Sequence, residues 1–124
     1  KKIVKPDIVY THSNTDLNID HQIVNKATLT AFRPLKKEKC QKILLFEVAS
    51  STDYSLNTFS PNYFENIKKS WNMKKKALEA YGREIVNQKS SRTIKGIHNL
   101  ALFRGNMSGL EISEAFVIAR QIKK

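Results

Sequence analysis

The sequence predicts an α/β layered fold built on a mainly parallel sheet. Two observations carry that expectation. Segments of strand character alternate with segments of helical period, in the order strand, helix, strand, helices, strand. The run Ile43-Leu44-Leu45-Phe46-Glu47-Val48-Ala49 is almost continuously apolar, as a strand covered on both faces is. A third observation concerns placement. The densest polar cluster of the chain, His12, Asp16, Asn18, Asp20 and His21, lies between the first strand and the first helix. In such folds that loop opens at the carboxyl edge of the sheet, where ligands bind.

The first strand is Ile8-Val9-Tyr10-Thr11, a β-branched and aromatic run after Pro6-Asp7 that reads as buried. A helix then runs from Ile19 or Asp20 to Arg33, capped by Asp20 or Asp16 and stopped by Pro34. Its apolar residues Ile23, Val24, Ala27, Ala31 and Phe32 recur at helical spacing, the mark of a core-facing stripe. The second strand covers residues 43–49, and residues 50–62 form a polar loop. Residues 63–87 carry a long helical pattern, interrupted at Asn72, with Phe64, Ile67, Trp71, Leu78, Tyr81 and Ile85 on one stripe. Residues 91–103 predict a further helix, with Ile94, Ile97, Leu100 and Ala101 inward and Gly105 as its stop. After Gly109, residues 114–119 read as the last strand.

At 124 residues the chain is long enough for one compact domain. Lys and Arg number 22 against 11 Asp and Glu, a net charge of +11. Such an excess attracts polyanions at low salt. The lysine runs around Lys1, Lys36 and Lys68 come without an aromatic RNA-binding strand, a GXXG loop or finger spacing. They read as solvated faces and loop ends, so no specific nucleic-acid partner is expected. No apolar stretch reaches the ~18 residues of a membrane helix. The single Cys40 leaves no intramolecular disulfide and no Cys-based zinc site, and a reducing, cytoplasmic setting is the default.

The chemistry concentrates in residues 11–21. Asp16-x-Asn18-x-Asp20-His21 places two carboxylates and an imidazole around a helix N-terminus. A neutral His21 nitrogen is a good zinc ligand, and a neighbouring carboxylate can hold its tautomer. The same spacing opens a calcium loop, but the Gly and Glu that complete one are absent. From spacing alone, a capped helix with a surface histidine is the plainer reading. One His does not make a zinc site, which takes three protein ligands in a catalytic setting.

Pro6-Asp7-Ile8-Val9-Tyr10-Thr11-His12, leading to Asp16-Leu17-Asn18-Ile19-Asp20-His21, resembles the second half of the PIG-L/LmbE-like zinc N-deacetylases. The likeness continues along the chain. Thr30-Ala31-Phe32-Arg33-Pro34 looks like the end of the family's next helix. Phe46-Glu47-Val48-Ala49-Ser50-Ser51-Thr52 is similar to its Glu-Val-Pro-Ser-Ser-Thr strand and loop, with Ala49 where Pro is usual. Phe59-Ser60-Pro61-Asn62-Tyr63-Phe64 resembles its Phe-x-Pro-Asn-x-Phe element, and Lys75, Ala77, Leu78 and Tyr81 follow its next helix. Arg104-Gly105 and Glu114-Ala115-Phe116 match its C-terminal signature.

The resemblance implies a Rossmann-like fold and a hydrolase that removes an acyl group, typically acetyl, from an amino sugar. Zinc would acidify a water and polarise the amide carbonyl. By the same resemblance His21 is the zinc ligand and Asp20 a catalytic or supporting carboxylate. Asn18 stands where many members carry a His that stabilises the oxyanion; an amide there donates a hydrogen bond but does not titrate. His12 is the candidate to take over that role. Glu47 on its apolar strand is a candidate to bind a sugar hydroxyl, and Arg33 to meet an anionic substrate group. The family's Ala-His-Pro-Asp-Asp-Glu segment, source of the other two ligands and the general base, is absent from this chain. The chain therefore reads as an incomplete portion of the domain, its C-terminal half, with an incomplete zinc site. A whole member would have roughly 200–250 residues, still a single-domain length. The implied partners are an N-acetylated amino-sugar substrate and the missing N-terminal half or another chain. Apolar surface left bare by that half also predicts association between copies. A catalytically inactive module that binds a glycan or a protein is the alternative, followed by a basic nucleic-acid-binding domain.

Overall fold

In the computed structural model, which describes residues 3–82 and 90–123, β1 (Ile8–His12) leads through α1 (Ile19–Ala31) to β2 (Lys42–Phe46). A short 3-10 turn (Thr52–Tyr54), β3 (Tyr63–Asn66), α2 (Trp71–Ala80), α3 (Ile94–Ser108) and β4 (Ser113–Gln121) follow. The strands form one four-stranded sheet in the order β1-β2-β4-β3. β1 pairs with β2 in parallel, from Ile8 opposite Lys42 to His12 opposite Phe46. β4 runs antiparallel to β2, with a shift in register between Ile43 and Leu44. The sheet is thus mixed rather than mainly parallel. Strand character in a sequence carries no direction; only a crossover helix such as α1 commits its two strands to run the same way. No helix among the described residues is long and apolar enough to cross a membrane.

The chain divides into two compact units, Lys1–Tyr63 with Phe116–Lys124, and Phe64–Ala115. In the first, Cys40, Ile43 and Leu45 are buried, with Val9, Phe32 and Val117 packed against them. Val9 and Thr11 stand opposite Ile43 and Leu45, so this is the sheet face that α1 covers. α1 is held there by polar groups. Asn25 is buried and its Nδ2 donates to the His12 carbonyl at 2.8 Å. Thr11 Oγ1 donates to Thr28 Oγ1 at 3.2 Å. The predicted core stripe faces the other way: Ile23, Val24, Ala27 and Ala31 are all exposed, and only Phe32 is partly covered. Helical period locates a stripe but does not say toward which neighbour it points. β1 is likewise less buried than expected. It lies at the sheet's edge, and Ile8 and Tyr10 are exposed.

β2 ends at Phe46, three residues before its predicted end. There the Val48 amide donates to Thr52 Oγ1 at 2.7 Å, and the Ser51 amide donates to the Val48 carbonyl at 3.2 Å, so the chain curls into a loop. Ser50 takes φ +62° in it, a conformation L residues seldom adopt.

The second unit closes on Ile67, Ala101 and Ile112, with Trp71 and Leu102 alongside. Of the long helix expected over residues 63–87, the described part, residues 63–82, is instead β3, a turn and α2. Tyr63 and Phe64 are aromatic strand formers. Asn66 then diverts the backbone: its Oδ1 accepts from the Lys68 amide at 3.0 Å, a local bond that competes with helix. Tyr81 is exposed rather than core, and Ile85 lies outside the described residues. α3 starts at its cap Thr93, whose Oγ1 accepts from the Gly96 amide at 2.9 Å. It runs past its predicted end to Gly109, which has φ +70° and is the true stop. Gly105 lies within the helix. A Cβ there would sit 2.7 Å from the Leu110 carbonyl oxygen and 2.8 Å from that of Glu111, so glycine permits the close approach of the following turn.

Candidate functional site

Because β1 and β2 are parallel, their carboxyl ends, His12 and Phe46, open side by side. The loops that leave them are tied together at once. The Ser13 amide donates to the Phe46 carbonyl at 3.0 Å, and the Leu17 amide to the Ser51 carbonyl at 3.3 Å. Ser13 is buried, and its hydroxyl accepts from the Thr15 amide at 3.1 Å, which turns the chain toward Asp16.

Asp16 is the hub. Its side chain is fully buried and accepts four hydrogen bonds. Oδ1 receives the Asn18 amide at 2.8 Å and the Ser51 hydroxyl. Oδ2 receives the Thr52 hydroxyl at 3.1 Å and His21 Nδ1 at 2.9 Å. Burial alone would raise the pKa of this carboxyl. The hydrogen bonds from Ser51, His21 and Asn18, with the charge of a protonated His21, outweigh it and hold the carboxyl below its ordinary range. Asp16 is therefore a carboxylate at neutral pH.

His21 sits in the first turn of α1 with its side chain 21% exposed. Nδ1 is spent on Asp16, and Nε2 makes no hydrogen bond among the described residues. The His12 ring stacks on that of His21, centroids 4.0 Å apart and planes 18° from parallel, and its other neighbour is Phe46 at 4.6 Å. Burial and then the adjacent His21 lower the pKa of His12, against the pull of Asp16, so this ring is neutral at pH 7. Its Nδ1 is buried without a partner among the described residues. Ring nitrogens hold metals in the ring plane at about 2.0–2.1 Å. Two near-parallel rings 4.0 Å apart therefore cannot both ligate one ion in this arrangement.

The helix cap is Asn18, where Asp20 or Asp16 was expected. Its Oδ1 accepts from the Asp20 amide at 2.8 Å, which leaves its amide NH2 as the free donor. The Asp20 side chain is exposed and makes no hydrogen bond among the described residues. Glu47 is half-buried and directly follows Phe46, the last residue of β2. Arg33 lies past the far end of α1, where its Nε donates to the Thr30 carbonyl at 3.2 Å. Roughly 15 Å of helix separates that end from His21. The fold thus brings together His12, Asn18, Asp20 and His21, keeps Glu47 on the same edge, and sends Arg33 elsewhere.

The sequence offers Asp16 as a helix cap and as one carboxylate of the polar cluster, and it assigns no role to Ser51 or Thr52. Their signal was topological. Two loops that follow parallel neighbouring strands meet at one edge, so a carboxylate in one and adjacent hydroxyls in the other are natural partners. Among the described residues no three His, Cys, Asp or Glu side chains are grouped to hold a metal ion. The donor set fits a single ligand position for zinc, an imidazole with one nitrogen on a carboxylate and the other bare.

No family model matches the chain, and no curated protein matches it. Among solved structures it is similar to the conserved protein TT1542 from Thermus thermophilus, with a TM-score of 0.71 and 17% identity. The match covers 96% of this chain and 54% of that one, so the chain spans about half the length of its structural neighbour. At that identity the likeness concerns the fold alone.

Proposed function

We propose that this chain is the C-terminal half of a Rossmann-like, zinc-dependent N-deacetylase of the PIG-L/LmbE type, which removes an acetyl group from an amino sugar or glycoconjugate. His21 supplies one zinc ligand. The observation that carries this reading is the state of His21, whose Nδ1 is bound to a buried carboxylate and whose Nε2 is unspent among the described residues, at the carboxyl end of a parallel strand pair. Bound zinc contributes Lewis-acid chemistry, an acidified water and a polarised amide carbonyl. The chain's own residues do the rest of this half's work. The free NH2 of Asn18 donates to the carbonyl oxygen as it gains charge. Asp20, exposed beside it, offers a carboxylate to the reacting groups. The neutral His12 ring walls the site and shields the Asp16–His21 bond from water. Glu47 accepts from a sugar hydroxyl.

The other ligands come from the missing half. Three observations support its existence: the chain spans 54% of its structural neighbour, β1 has one edge unpaired among the described residues, and α1 turns its apolar stripe outward. The test is to express the whole reading frame around this segment with zinc and to follow acetate release from N-acetylglucosaminyl substrates. The expected result is zinc-dependent turnover that His21→Ala abolishes together with zinc binding. A folded His21→Ala protein that retains zinc and turnover overturns the assignment. Bound zinc without turnover on any N-acetylated sugar favours the binding-module reading.

A further inference from the structure

We propose that Asp16 is a positioning residue: clasped by Ser51, Thr52 and the Asn18 amide, it accepts a hydrogen bond from the Nδ1–H of His21 and so keeps Nε2 bare for a metal ion. The inference rests on His21 being a ligand. It extends the site to the loop after β2, which touches no metal itself.

Each oxygen of Asp16 has two donors, so its carboxylate cannot turn without breaking bonds on both sides. Thr52 is itself oriented. Its Oγ1 accepts from the Val48 amide at 2.7 Å, which directs the hydroxyl proton to Asp16 Oδ2. A neutral imidazole carries one proton. With Asp16 ionised and 2.9 Å from Nδ1, that proton belongs on Nδ1, and the lone pair lies on Nε2.

The same geometry dictates what Asp16→Asn does. Three of the four groups around Asp16 can become acceptors: the two hydroxyls and the imidazole nitrogen. The backbone amide of Asn18 cannot. The variant's amide oxygen must therefore stay on the Asn18 side, and its NH2 must face Thr52 and His21. Nδ1 then has to accept, and the His21 proton moves to Nε2. An isosteric substitution thus caps the ligand nitrogen without touching the ring.

The test is long-range 1H–15N correlation on the 15N-histidine-labelled chain at about pH 8.5, where imidazoles are neutral. Wild type is expected to show His21 with a protonated Nδ1 and a bare, pyridine-like Nε2. Asp16→Asn is expected to show the reverse, and its His21 resonances should respond to added zinc ~10–100-fold more weakly. Ser51→Ala, which removes one bond from the other oxygen, should leave the wild-type tautomer. A wild-type His21 protonated on Nε2 overturns the proposal, as does a folded Asp16→Asn chain with an unchanged tautomer. The wild-type spectrum decides even where the variant does not fold. A merely structural Asp16 would change stability and leave the tautomer alone. Since no turnover is measured, loss of the deacetylase reading would leave this result standing.

Discussion

In α1 the apolar residues should prove dispensable and the polar ones essential, and Ile23→Lys beside Asn25→Ala tests that inversion. Full burial of an isoleucine side chain contributes about 1.5–3 kcal/mol. Ile23 is 59% exposed, so the covered part accounts for about 1 kcal/mol at most. Lysine has a helix propensity at least as good as isoleucine and recovers a few tenths of that. The expected loss for Ile23→Lys is therefore about 0.5 kcal/mol. Asn25 is 2% exposed and donates to the His12 carbonyl at 2.8 Å. Its truncation removes that bond, leaves a buried acceptor short of its donor and opens a gap against the sheet. The expected loss is about 2 kcal/mol, after a small gain in helix propensity. Urea unfolding of the 124-residue chain, followed by circular dichroism, measures both. A cost near 3 kcal/mol for Ile23→Lys would mean that the stripe is buried within this chain. A cost below about 0.5 kcal/mol for Asn25→Ala would mean that the polar seam does not hold α1. In a longer protein whose other half covers α1, Ile23→Lys should become the more damaging change.

Acid should weaken the fold in two stages. His12 has its folded pKa below the unfolded value of about 6.5, so its contribution is complete above that pH and is lost as pH falls through the folded value. Asp16, held below the usual carboxylate range, contributes fully above about pH 4 and loses that contribution below it. Urea midpoints that rise on acidification from about pH 6.5 would refute the His12 assignment. Gly105→Ala should cost about 3 kcal/mol or prevent folding, because its Cβ would meet backbone oxygens at 2.7 and 2.8 Å. Gly109→Ala, with φ +70° and open space around its Cβ, should cost only about 1–2 kcal/mol; thermal melts of the pair showing the opposite order would sink this account of α3. Lys68→Ala breaks an ion pair with Glu111 whose partners are both 63% exposed, and the melting temperature should stay within error of wild type.

How much of this was legible in the sequence differs by element. β1, α1 and β4 were found near their observed limits, because each has a run of uniform period bounded by polar or Pro residues. The stretch from residue 63 has a misleading period for a specific reason. Phe64, Ile67 and Trp71 fall at helical spacing, but the Asn66 side chain captures the Lys68 amide and turns the chain before a helix can nucleate. Gly105 and Gly109 look alike as letters; only the approach of residues 110 and 111 shows that one serves packing and the other termination. At the site, His21 and Asn18 were legible as a local motif. Asp16 was legible as part of that motif but its clasp was not, because its partners Ser51 and Thr52 lie 35 and 36 residues away and meet it only through the parallel pairing of β1 and β2.

The inverted polarity of α1 and the construction of the site have one cause. His21, Asn25 and Thr28 are spaced i, i+4, i+7 and form one row along the helix. That row faces the sheet: Thr28 bonds Thr11, Asn25 bonds the end of β1, and His21 meets Asp16 just beyond it. Ile23, Ala27 and Ala31 form a second row. Two residues of offset rotate it by about 200°, onto the opposite side of the helix. A row that must deliver an imidazole to the strand ends cannot also be uniformly apolar, so the inner seam is polar and is stabilised by hydrogen bonds rather than by area. The apolar row is then free to serve another surface. Local rules fail where a helix carries chemistry, and here the failure is directional: the side that looks like core is the side turned away from the site.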